Sequence, residues 1–472
     1  PAAGCQHPVR LFGDLHTIDT RTGQILATTP TTALPDGIIY KACGNRRATI
    51  CPSCAETYRR DAYHLVRSGL AGGKTVPETV AGHPAVFATF TAPGFGPVHT
   101  RHVTRHAAAC TDPKTCACRP DPCHARTGPT APDCPHGAQL VCFTRHLPGD
   151  PALGQPLCAD CYDHDHHVVW NNQTGELWRR TKQNIERHLN RLARRRGLSR
   201  VRVSHGKAAE DQARAAIHFH VLLRLDSIDP DDPDQIIPPP AGFTVADLDE
   251  AVHRAATITA HTTADHPTHP GGWPIRWGRK TDVRPIALRA DNPVTDAMVA
   301  AYLAKYATKG TEITGHTSRR ITTDTMASTY GNPDGTHTQR LVEACWRLGE
   351  HPDYEGLRRW AHMLGFGGHF LTKARRYSIT FTALRAARAT YRRTQDTGPE
   401  HHPSRIHRQD HPDEETTLII GSLTYAGTGW KTTGDALLAN TAADQARKRR
   451  AIGREELAHQ YALDGPQEMN AA

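Results

Sequence analysis

Two histidines separated by one residue, His218 and His220, lie in the run I-H-F-H-V-L-L-R-L-D, which is rich in β-forming residues. Because side chains alternate along a strand, both rings are expected on one face, with Phe219, Val221 and Leu223 facing a core. Two neutral imidazoles on a rigid strand suit a divalent cation, which can activate a phosphodiester. In a chain with 31 histidines such pairs also arise by chance, so the motif needs support from its surroundings.

An oxygen ligand would complete such a metal site, and two residues upstream could supply it. Glu210 and Gln212 lie in the segment E-D-Q-A-R-A-A-I-H-F-H, and they share a face if that segment is extended. The choice between them depends on the register of the hairpin that they would form with the histidine strand. The sequence alone leaves that choice open.

A second chemical motif lies in the run A-Y-L-A-K-Y-A-T-K-G. It places Tyr302 four residues before Tyr306, and Lys305 four residues before Lys309, so on a helix each pair shares a face. A tyrosine hydroxyl is protonated near neutral pH and is a poor nucleophile, but a nearby cation or a metal-bound phosphate compensates. The lysines can neutralise the phosphate under attack.

Attack by one tyrosine would leave a covalent 5′-phosphotyrosine and a free 3′-hydroxyl, which a polymerase can extend. A second tyrosine one helical turn away could attack a second phosphodiester without release of the first. This arrangement suits the end of a replication round. The alternative is that the two rings only pack against each other and their neighbours.

The chain has thirteen cysteines, and the odd count argues against a closed set of disulfides. Their C-x2-C pairs favour structural zinc in a reducing cytoplasm. The first predicted set is Cys5, Cys43, Cys51 and Cys54. The second is Cys134, Cys142, Cys158 and Cys161, with His136 and His146 competing for places. A third possible set is Cys110, Cys116, Cys118 and Cys123. Cys345, beside Trp346, is expected in the core.

The elements that must position these groups predict an α+β protein. Strand-like alternation ends at Pro93, an amphipathic helix covers 177–196, and strands or a hairpin lead into the histidine pair. A helix over 294–309 carries the tyrosines. The predicted regions are an N-terminal zinc-binding region (1–80), a nicking domain (81–310) with a Cys/His-rich insertion at about 105–165, a basic helical DNA-binding region (311–400), and a C-terminal strand and charged tail (401–472).

Charge is uneven along the chain. The formal net charge is +9, and it would fall to about +3 if twelve cysteines formed three four-thiolate zinc sites. Residues 177–202 hold ten basic residues and one acid, and residues 356–395 hold nine and none. Single runs of this kind are often only solvated faces, but two of them favour a track for phosphates. Trp360, Phe370 and Tyr377 could stack on unpaired bases or pack in the core.

Membrane insertion and secretion are not expected from this sequence. No stretch approaches the ~20 apolar residues that span a bilayer, and no charged-then-apolar leader is present. The sequence also lacks a G-x-x-x-x-G-K-[ST] motif, so helicase activity is expected from the host. A cytoplasmic protein is predicted.

Three motifs occur in a fixed order: F-A-T-F-T-A, then H-F-H, then Y-L-A-K-Y-A-T-K. In this order they resemble the HUH endonucleases of rolling-circle replication. The segments C-G-N-R-R-A-T-I-C-P-S-C, L-C-A-D-C-Y-D-H-D-H-H-V-V-W-N, T-D-V-R-P-I and F-L-T-K-A-R-R-Y-S extend the resemblance, over nearly the whole chain, to replication initiators of actinobacterial plasmids and integrative elements. The Y-x-x-K-Y-x-x-K pattern is also similar to the two-tyrosine replication proteins of single-stranded bacteriophages.

The resemblance implies an HUH-type antiparallel sheet with flanking helices, zinc-ribbon-like insertions and a basic, mostly helical C-terminal region. It implies that His218, His220 and Glu210 hold Mg2+ or Mn2+, with Tyr306 as the primary nucleophile and Tyr302 as the alternate one. The implied partners are plasmid origin DNA, single-stranded at the nick, and a host helicase and polymerase. One departure is Ala215, where a glycine turn is expected in relatives.

Two other functions remain open at this stage. A relaxase or transposase would use the same chemistry and differ only in its DNA substrate. A zinc-ribbon DNA-binding regulator would perform no chemistry, and replacing Tyr306 with phenylalanine would then leave its activity intact.

Overall fold

The computed structural model describes residues 2, 4–34, 36–106, 118–124, 134–138, 140–286, 296–308, 320–330, 335–396 and 417–464. The chain divides into two compact units. Unit 1 comprises Pro1–Asp61 and Arg385–Ala472, and unit 2 comprises Ala62–Leu384. Cys110, Cys116 and Lys309 lie outside the described residues.

The strands are β1 (Val9–Asp19), β2 (Ile25–Pro30), β3 (Ile39–Lys41), β4 (Ala85–Phe90), β5 (Val201–Asp211), β6 (Ile217–Ser227), β7 (Ala260–Thr262), β8 (Pro274–Arg276), β9 (Thr281–Pro285), β10 (Leu371–Lys373) and β11 (Thr417–Thr428). The helices are α1 (Pro52–Ala71), α2 (His164–Arg196), α3 (Val245–Ile258), α4 (Asp296–Tyr306), α5 (Thr323–Thr325), α6 (His337–Leu348), α7 (Glu355–Arg359), α8 (Phe381–Asp396) and α9 (Thr433–Asp464). The fold is therefore mixed α+β, as predicted.

Unit 2 is built on a five-stranded antiparallel sheet in the order β10-β5-β6-β4-β9. On its core face, Phe219, Val221 and Leu223 are fully buried in a large cluster with α2 and α3, as the alternation predicted. The opposite face, which we call the site face, carries His218 and His220 and is partly covered by α1 and α4. Burial of both faces explains why β6 is a nearly continuous apolar run.

Helix α2 is 33 residues long and starts well before the predicted 177–196. The Asp163 carboxylate caps it by accepting a hydrogen bond from the backbone N–H of His166 at 2.9 Å. The helix ends at Gly197, whose φ of 66° is left-handed. The first half of α2 has many polar side chains among its apolar ones. The helical spacing of apolar residues is therefore recognisable in the sequence only from Leu177 onward.

The turn between β5 and β6 sets the hairpin register. Asp211 pairs with Ile217, and Glu210 therefore lies opposite His218 on the site face. Ala215 has a φ of 68°, a left-handed conformation that favours glycine. Gln212 lies in the turn itself, where its N–H bonds to the Ala216 carbonyl at 3.0 Å.

Unit 1 contains an antiparallel sheet in the order β11-β1-β2, with β3 also paired to β1. A strand was predicted in the C-terminal region 401–472, where β11 lies, whereas β1, β2 and β3 were not predicted. Large apolar side chains on this sheet are exposed, among them Phe12, Ile25 and Ile419. The apolar cluster described in unit 1 consists of Ala2 and three cysteines, with partly buried neighbours. No helix in the described ranges is both long and apolar enough to cross a membrane.

Candidate active site

The histidine pair lies at the start of β6, in the middle of the five-stranded sheet. The ring centroids of His218 and His220 are 4.5 Å apart, and both rings are on the site face. His220 is only 2% exposed. Its Nδ1 lies 3.4 Å from the Thr89 hydroxyl on β4, and its ring stacks on Phe87 at 5.9 Å between centroids. Strand β4 thus contacts His220 twice, with Phe87 against a face of its ring and Thr89 at its Nδ1.

Glu210 and Gln212 contact different histidines. The Glu210 carboxylate lies 3.1 Å from Nε2 of His220. This spacing suits two ligands on one cation of metal–ligand distance about 2.1 Å. The Gln212 side chain bridges two neighbours instead, since its Nε2 lies 3.0 Å from Nδ1 of His218 and its Oε1 accepts from Nε of Arg214 at 3.1 Å. The donor set of two imidazoles and one carboxylate fits a divalent cation.

Tyr302 lies beside the histidine pair. Its ring is perpendicular to His220 at 5.0 Å between centroids and to Phe87 at 5.7 Å. Helix α4 holds it there through Val299 and Leu303, which are buried against the sheet. Two other predicted site residues lie at the C-terminal end of the same helix. Tyr306 is the last residue of α4, with its side chain outside the described set, and Lys305 is exposed.

Several elements fix the turn that precedes the histidine pair. The Asn171 side chain on α2 donates to the Ala215 carbonyl at 3.1 Å and accepts from the Ile217 N–H at 3.1 Å. Nε2 of His337 lies 3.0 Å from the Arg214 carbonyl. The Arg214 guanidinium donates to the carbonyl of Pro93 at 2.9 Å. These hydrogen bonds hold the strained turn in one conformation, and this conformation fixes the position of the two histidines that follow it.

Two cysteine clusters match the predicted zinc sets in whole or in part. Cys5, Cys43, Cys51 and Cys54 come together as predicted, with Sγ atoms 3.6 Å apart for Cys43 and Cys54 and 3.9 Å apart for Cys5 and Cys51. Such spacing fits a tetrahedral four-thiolate site. In the second set His136 stands where Cys142 was predicted. It joins the ligand cluster formed by Cys134, His136, Cys158 and Cys161.

The regrouping in the second set has a simple geometric reason. Cys142 is drawn away by an antiparallel bridge to His124, with backbone hydrogen bonds of 2.8 and 2.9 Å. Cys123 also leaves its predicted partners, and Cys118 belongs to none of the ligand clusters in the described part of the chain. Cys345 is fully buried, as expected for a core residue. These Cys/His clusters could hold a metal such as zinc.

A family model described as "RepSA: Replication initiator protein, pSAM2" matches residues 1–444 of this chain. The chain belongs to the RepSA family of replication initiator proteins. A replication initiator protein of Streptomyces ambofaciens is 41% identical over 473 residues, covering 97% of this chain and 91% of that relative. The predicted resemblance to actinobacterial replication initiators is confirmed. No solved structure matches.

The basic residues of this RepSA-family chain differ in how they are paired. On α2, Arg187, Arg191 and Arg195 are exposed at a spacing of four, and no ion pair joins them to a described residue. On α8, Arg385 and Arg388 both bind the buried carboxylate of Asp61, the former at 2.9 Å. The exposed arginines of α2 are therefore better placed for phosphates than Arg385 and Arg388.

Two of the three aromatic residues considered as base-stacking groups are buried in this family member. Phe370 is 4% exposed and Tyr377 is fully buried, so both are core residues. Tyr377 donates its hydroxyl to the Val66 carbonyl at 2.8 Å. These positions were ambiguous in the sequence because aromatic side chains serve both purposes.

A buried charged network at the other end of the site face was missed by the sequence analysis. The Arg224 guanidinium donates to both oxygens of Asp226 at 2.7 and 2.9 Å, and His83 and Ser204 bind the same carboxylate at 2.8 and 2.6 Å. Burial would raise the pKa of Asp226, but these hydrogen bonds outweigh it and lower that pKa. The available signal was the pair of charges in an otherwise apolar strand. Arg224 also donates to the Gly69 carbonyl on α1, so in this RepSA-family chain the network joins β5, β6 and α1.

Proposed function

We propose that this replication initiator is an HUH-type single-strand DNA endonuclease and strand transferase, which starts and ends rolling-circle replication through a 5′-phosphotyrosine. One observation carries the proposal: Tyr302 packs at 5.0 Å against His220, whose Nε2 faces the Glu210 carboxylate at 3.1 Å. A candidate nucleophile and a cation-binding donor set thus meet on one face of a rigid sheet.

His218, His220 and Glu210 would hold Mg2+ or Mn2+, which supplies charge neutralisation and polarisation of the scissile phosphate. The tyrosine oxygen forms a bond to phosphorus while the bond from phosphorus to the 3′ oxygen breaks. The tyrosine proton is released, and the departing 3′ oxygen gains a proton to become the hydroxyl. Lys305, exposed on the last turn of α4, is available to neutralise the phosphate.

The roles of the two tyrosines follow from their positions on α4. Tyr306 is the proposed primary nucleophile because it lies between Lys305 and Lys309, and Tyr302 is the proposed alternate. With one helical turn between them, about 6 Å along the axis, a single active site can serve both. The free 3′-hydroxyl left by the first attack is the primer for the host polymerase, and a host helicase would open the duplex.

The proposed substrate is plasmid origin DNA that is single-stranded at the nick, met in the cytoplasm. A relaxase or transposase would share every chemical step and differ only in the DNA it accepts. A zinc-ribbon regulator without chemistry would bind DNA but never form a covalent link. The DNA substrate therefore distinguishes a replication initiator from a relaxase or transposase. Formation of a covalent adduct distinguishes all of these enzymes from the regulator.

The test is adduct formation on a single-stranded oligonucleotide that contains the origin, with Mg2+ or Mn2+, resolved on a denaturing gel. The expected result is a covalent adduct in the wild type that is lost with a chelator and lost in Tyr306→Phe. Tyr302→Phe should retain the first cleavage but fail to join a second strand. Tyr425→Phe, on β11, is the matched control and should behave as wild type.

Two results would change the proposal. An adduct that persists in Tyr306→Phe but vanishes in Tyr302→Phe would exchange the two roles. Tight origin binding without an adduct in the wild type would favour the regulator and reject the enzyme.

A further inference from the structure

A third cluster of metal-ligating side chains lies in unit 2, apart from the two cysteine clusters and from the histidine pair. It consists of His99, Cys123, Cys142 and His146, whose ligand atoms all lie within 4.8 Å of one another. They come from three separate segments of the chain, with His99 before the Cys/His-rich insertion and the other three residues within it. None of the predicted zinc sets contained this combination.

The distances within this cluster match the edges of a zinc tetrahedron. Nδ1 of His99 is 3.2 Å from Nε2 of His146, Sγ of Cys142 is 3.6 Å from that Nε2, and Sγ of Cys123 is 3.8 Å from Nδ1 of His99. Tetrahedral zinc with its usual bond lengths requires about 3.3 Å between two nitrogens and about 3.6 Å between nitrogen and sulfur. Hydrogen bonds between the side chains account for single pairs, but the convergence of all four ligand atoms within 4.8 Å of one another also fits a common ion.

Partners behind the ligands orient them as in known zinc sites. The Asp150 carboxylate lies 2.7 Å from Nδ1 of His146, which leaves Nε2 of that ring for the ion. The backbone N–H of Thr100 donates to Sγ of Cys123 at 3.2 Å, a contact that favours the thiolate. His146 is 4% exposed, so its imidazole is largely shielded from water, while the Asp150 carboxylate behind it is half-buried.

The cluster is anchored to the segment beside the active-site turn. The Gly154 N–H donates to the His99 carbonyl and the His99 N–H donates to the Gln155 carbonyl, both at 2.9 Å. Gly154 has a φ of 85° and lies so close to the backbone of Ala213 and Arg214 that a side chain would clash there. An ion at His99 would therefore hold this loop against the turn that precedes the histidine pair.

We propose that His99, Cys123, Cys142 and His146 bind a zinc ion of their own, with Asp150 as the carboxylate that positions His146. With four protein ligands the site is closed and structural. Chains such as this one, with few apolar residues in the insertion, obtain from the metal the stability that a core would otherwise supply.

The test is the zinc content of the purified full-length chain, measured by mass spectrometry against protein concentration. Cys142→Ser and Cys123→Ser should each hold one zinc fewer than the wild type. Cys118→Ser is the matched control, because Cys118 lies in the same insertion but outside all three clusters, and it should keep the wild-type count. Asp150→Asn should keep the count but release one zinc to a chelator about 10–100-fold more readily.

The zinc count of Cys142→Ser decides the proposal. A wild-type count in both Cys142→Ser and Cys123→Ser would overturn it, as would release of zinc from Asp150→Asn at the wild-type chelator concentration. Should the serine variants fold poorly, the asparagine variant still gives a result, because it retains all four ligands. None of these readouts involves DNA, so their failure would leave the proposed nicking activity untouched.

Discussion

At the scale of single residues, the candidate site depends on which of two nearby polar residues contacts His220. Glu210 lies within the strand and its carboxylate reaches Nε2 of His220, whereas Gln212 lies in the turn and is held between Arg214 and His218. A carboxylate is also the better ligand for Mg2+ or Mn2+ than a carboxamide. The proposed third ligand is therefore Glu210, and Gln212 acts by orienting His218.

Glu210→Ala should slow metal-dependent adduct formation by more than about 100-fold, because it removes a ligand and leaves two imidazoles to hold the cation. Gln212→Ala should slow it by about 10-fold, the lower end of the range for residues behind a ligand. The measurement is the adduct rate as a function of Mn2+ concentration. A larger effect from Gln212→Ala than from Glu210→Ala would contradict the assignment.

The free energy of unfolding is expected to depend on pH because of the buried side chain of His337. Burial lowers the pKa of His337 from 6.5 to about 4, with the charge of Arg214 adding to the shift. Below pH 6.5 the unfolded chain therefore binds a proton at His337, whereas the folded chain does not bind it until the pH nears 4. The contribution of His337 to the free energy of unfolding is complete above that pH and is lost as the pH falls towards 4.

The measurement is urea unfolding at pH about 7.5, 6.5 and 5.5 for the wild type and for His337→Gln. Stability of the wild type should fall over this range, and His337→Gln should fall less because it has one titrating group fewer. Parallel slopes for the two proteins would reject this role for His337.

At the scale of elements, the hairpin of β5 and β6 positions the residues of the candidate site. Its register follows from the turn, and the turn is held by Asn171, His337 and Arg214 from outside the hairpin. Ala215 is strained at the centre of this turn, with a φ of 68°. The stability lost there is offset by the contacts around it.

Ala215→Gly should raise the free energy of unfolding by between zero and about 1.5 kcal/mol, the difference between the strain relieved and the chain entropy lost. Glycine relieves left-handed strain of about 1–2 kcal/mol but costs about 0.5–1 kcal/mol of additional chain entropy. The matched control is Ala216→Gly, which is equally buried but has ordinary backbone angles and should lower stability by about 1 kcal/mol. Equal losses in the two variants, measured by urea unfolding, would contradict this account of the turn.

Helix α2 separates two functions along its length. Its first half supports the hairpin turn through Asn171, while the exposed arginines 187, 191 and 195 lie in its second half, next to the start of β5. At 1.5 Å per residue the helix is about 50 Å long. The arginines are on the core-face side of the sheet, so any DNA that they bind would lie on the side opposite His218 and His220.

Replacing Arg191 and Arg195 together with alanine should weaken binding to duplex DNA and reduce the slope of log K against log salt by about 2. Arg179→Ala is the control, because Arg179 is paired with Glu176 at 2.6 Å and contributes less to the surface potential. Fluorescence anisotropy at several salt concentrations measures both. An unchanged slope in the double variant would show that this face does not bind phosphates.

At the scale of the whole molecule, the two units differ in what stabilises them. Unit 2 contains the large apolar cluster of the five-stranded sheet, whereas the apolar cluster described in unit 1 surrounds the cysteines. The ligand sets also change the charge estimate. A four-thiolate site carries −2, a three-thiolate site −1 and a Cys2His2 site none, so zinc would lower the net charge from +9 to about +6 rather than +3.

Removal of zinc from the cluster of Cys5, Cys43, Cys51 and Cys54 should therefore unfold unit 1, while the five-stranded sheet of unit 2 stays folded. Chelation followed by hydrogen exchange should show rapid exchange in β1, β2 and β3 and slow exchange in β6. Cys5→Ser should have the same effect on unit 1 without a chelator. Protection of β1 that survives chelation would mean that this sheet is stable without the metal.

Much of the candidate site was accessible from the sequence because it depends on near neighbours. The period of two placed His218 and His220 on one face and three apolar residues on the other, and the period of a helix placed Tyr302 and Tyr306 on α4. The C-x2-C spacing identified two pairs of neighbouring candidate ligands, Cys51 with Cys54 and Cys158 with Cys161. Positions such as these depend only on local geometry, which adjacent residues determine.

The tertiary structure decided what depends on distant parts of the chain. The hairpin register placed Glu210 rather than Gln212 beside His220, and the fold of the insertion placed Cys142 with His99 instead of with Cys158. The sequence could not supply these pairings, because residues far apart in sequence meet only once the backbone between them has a defined path. The sequence by itself thus determined the chemical groups of this protein, and the fold determined which of them meet.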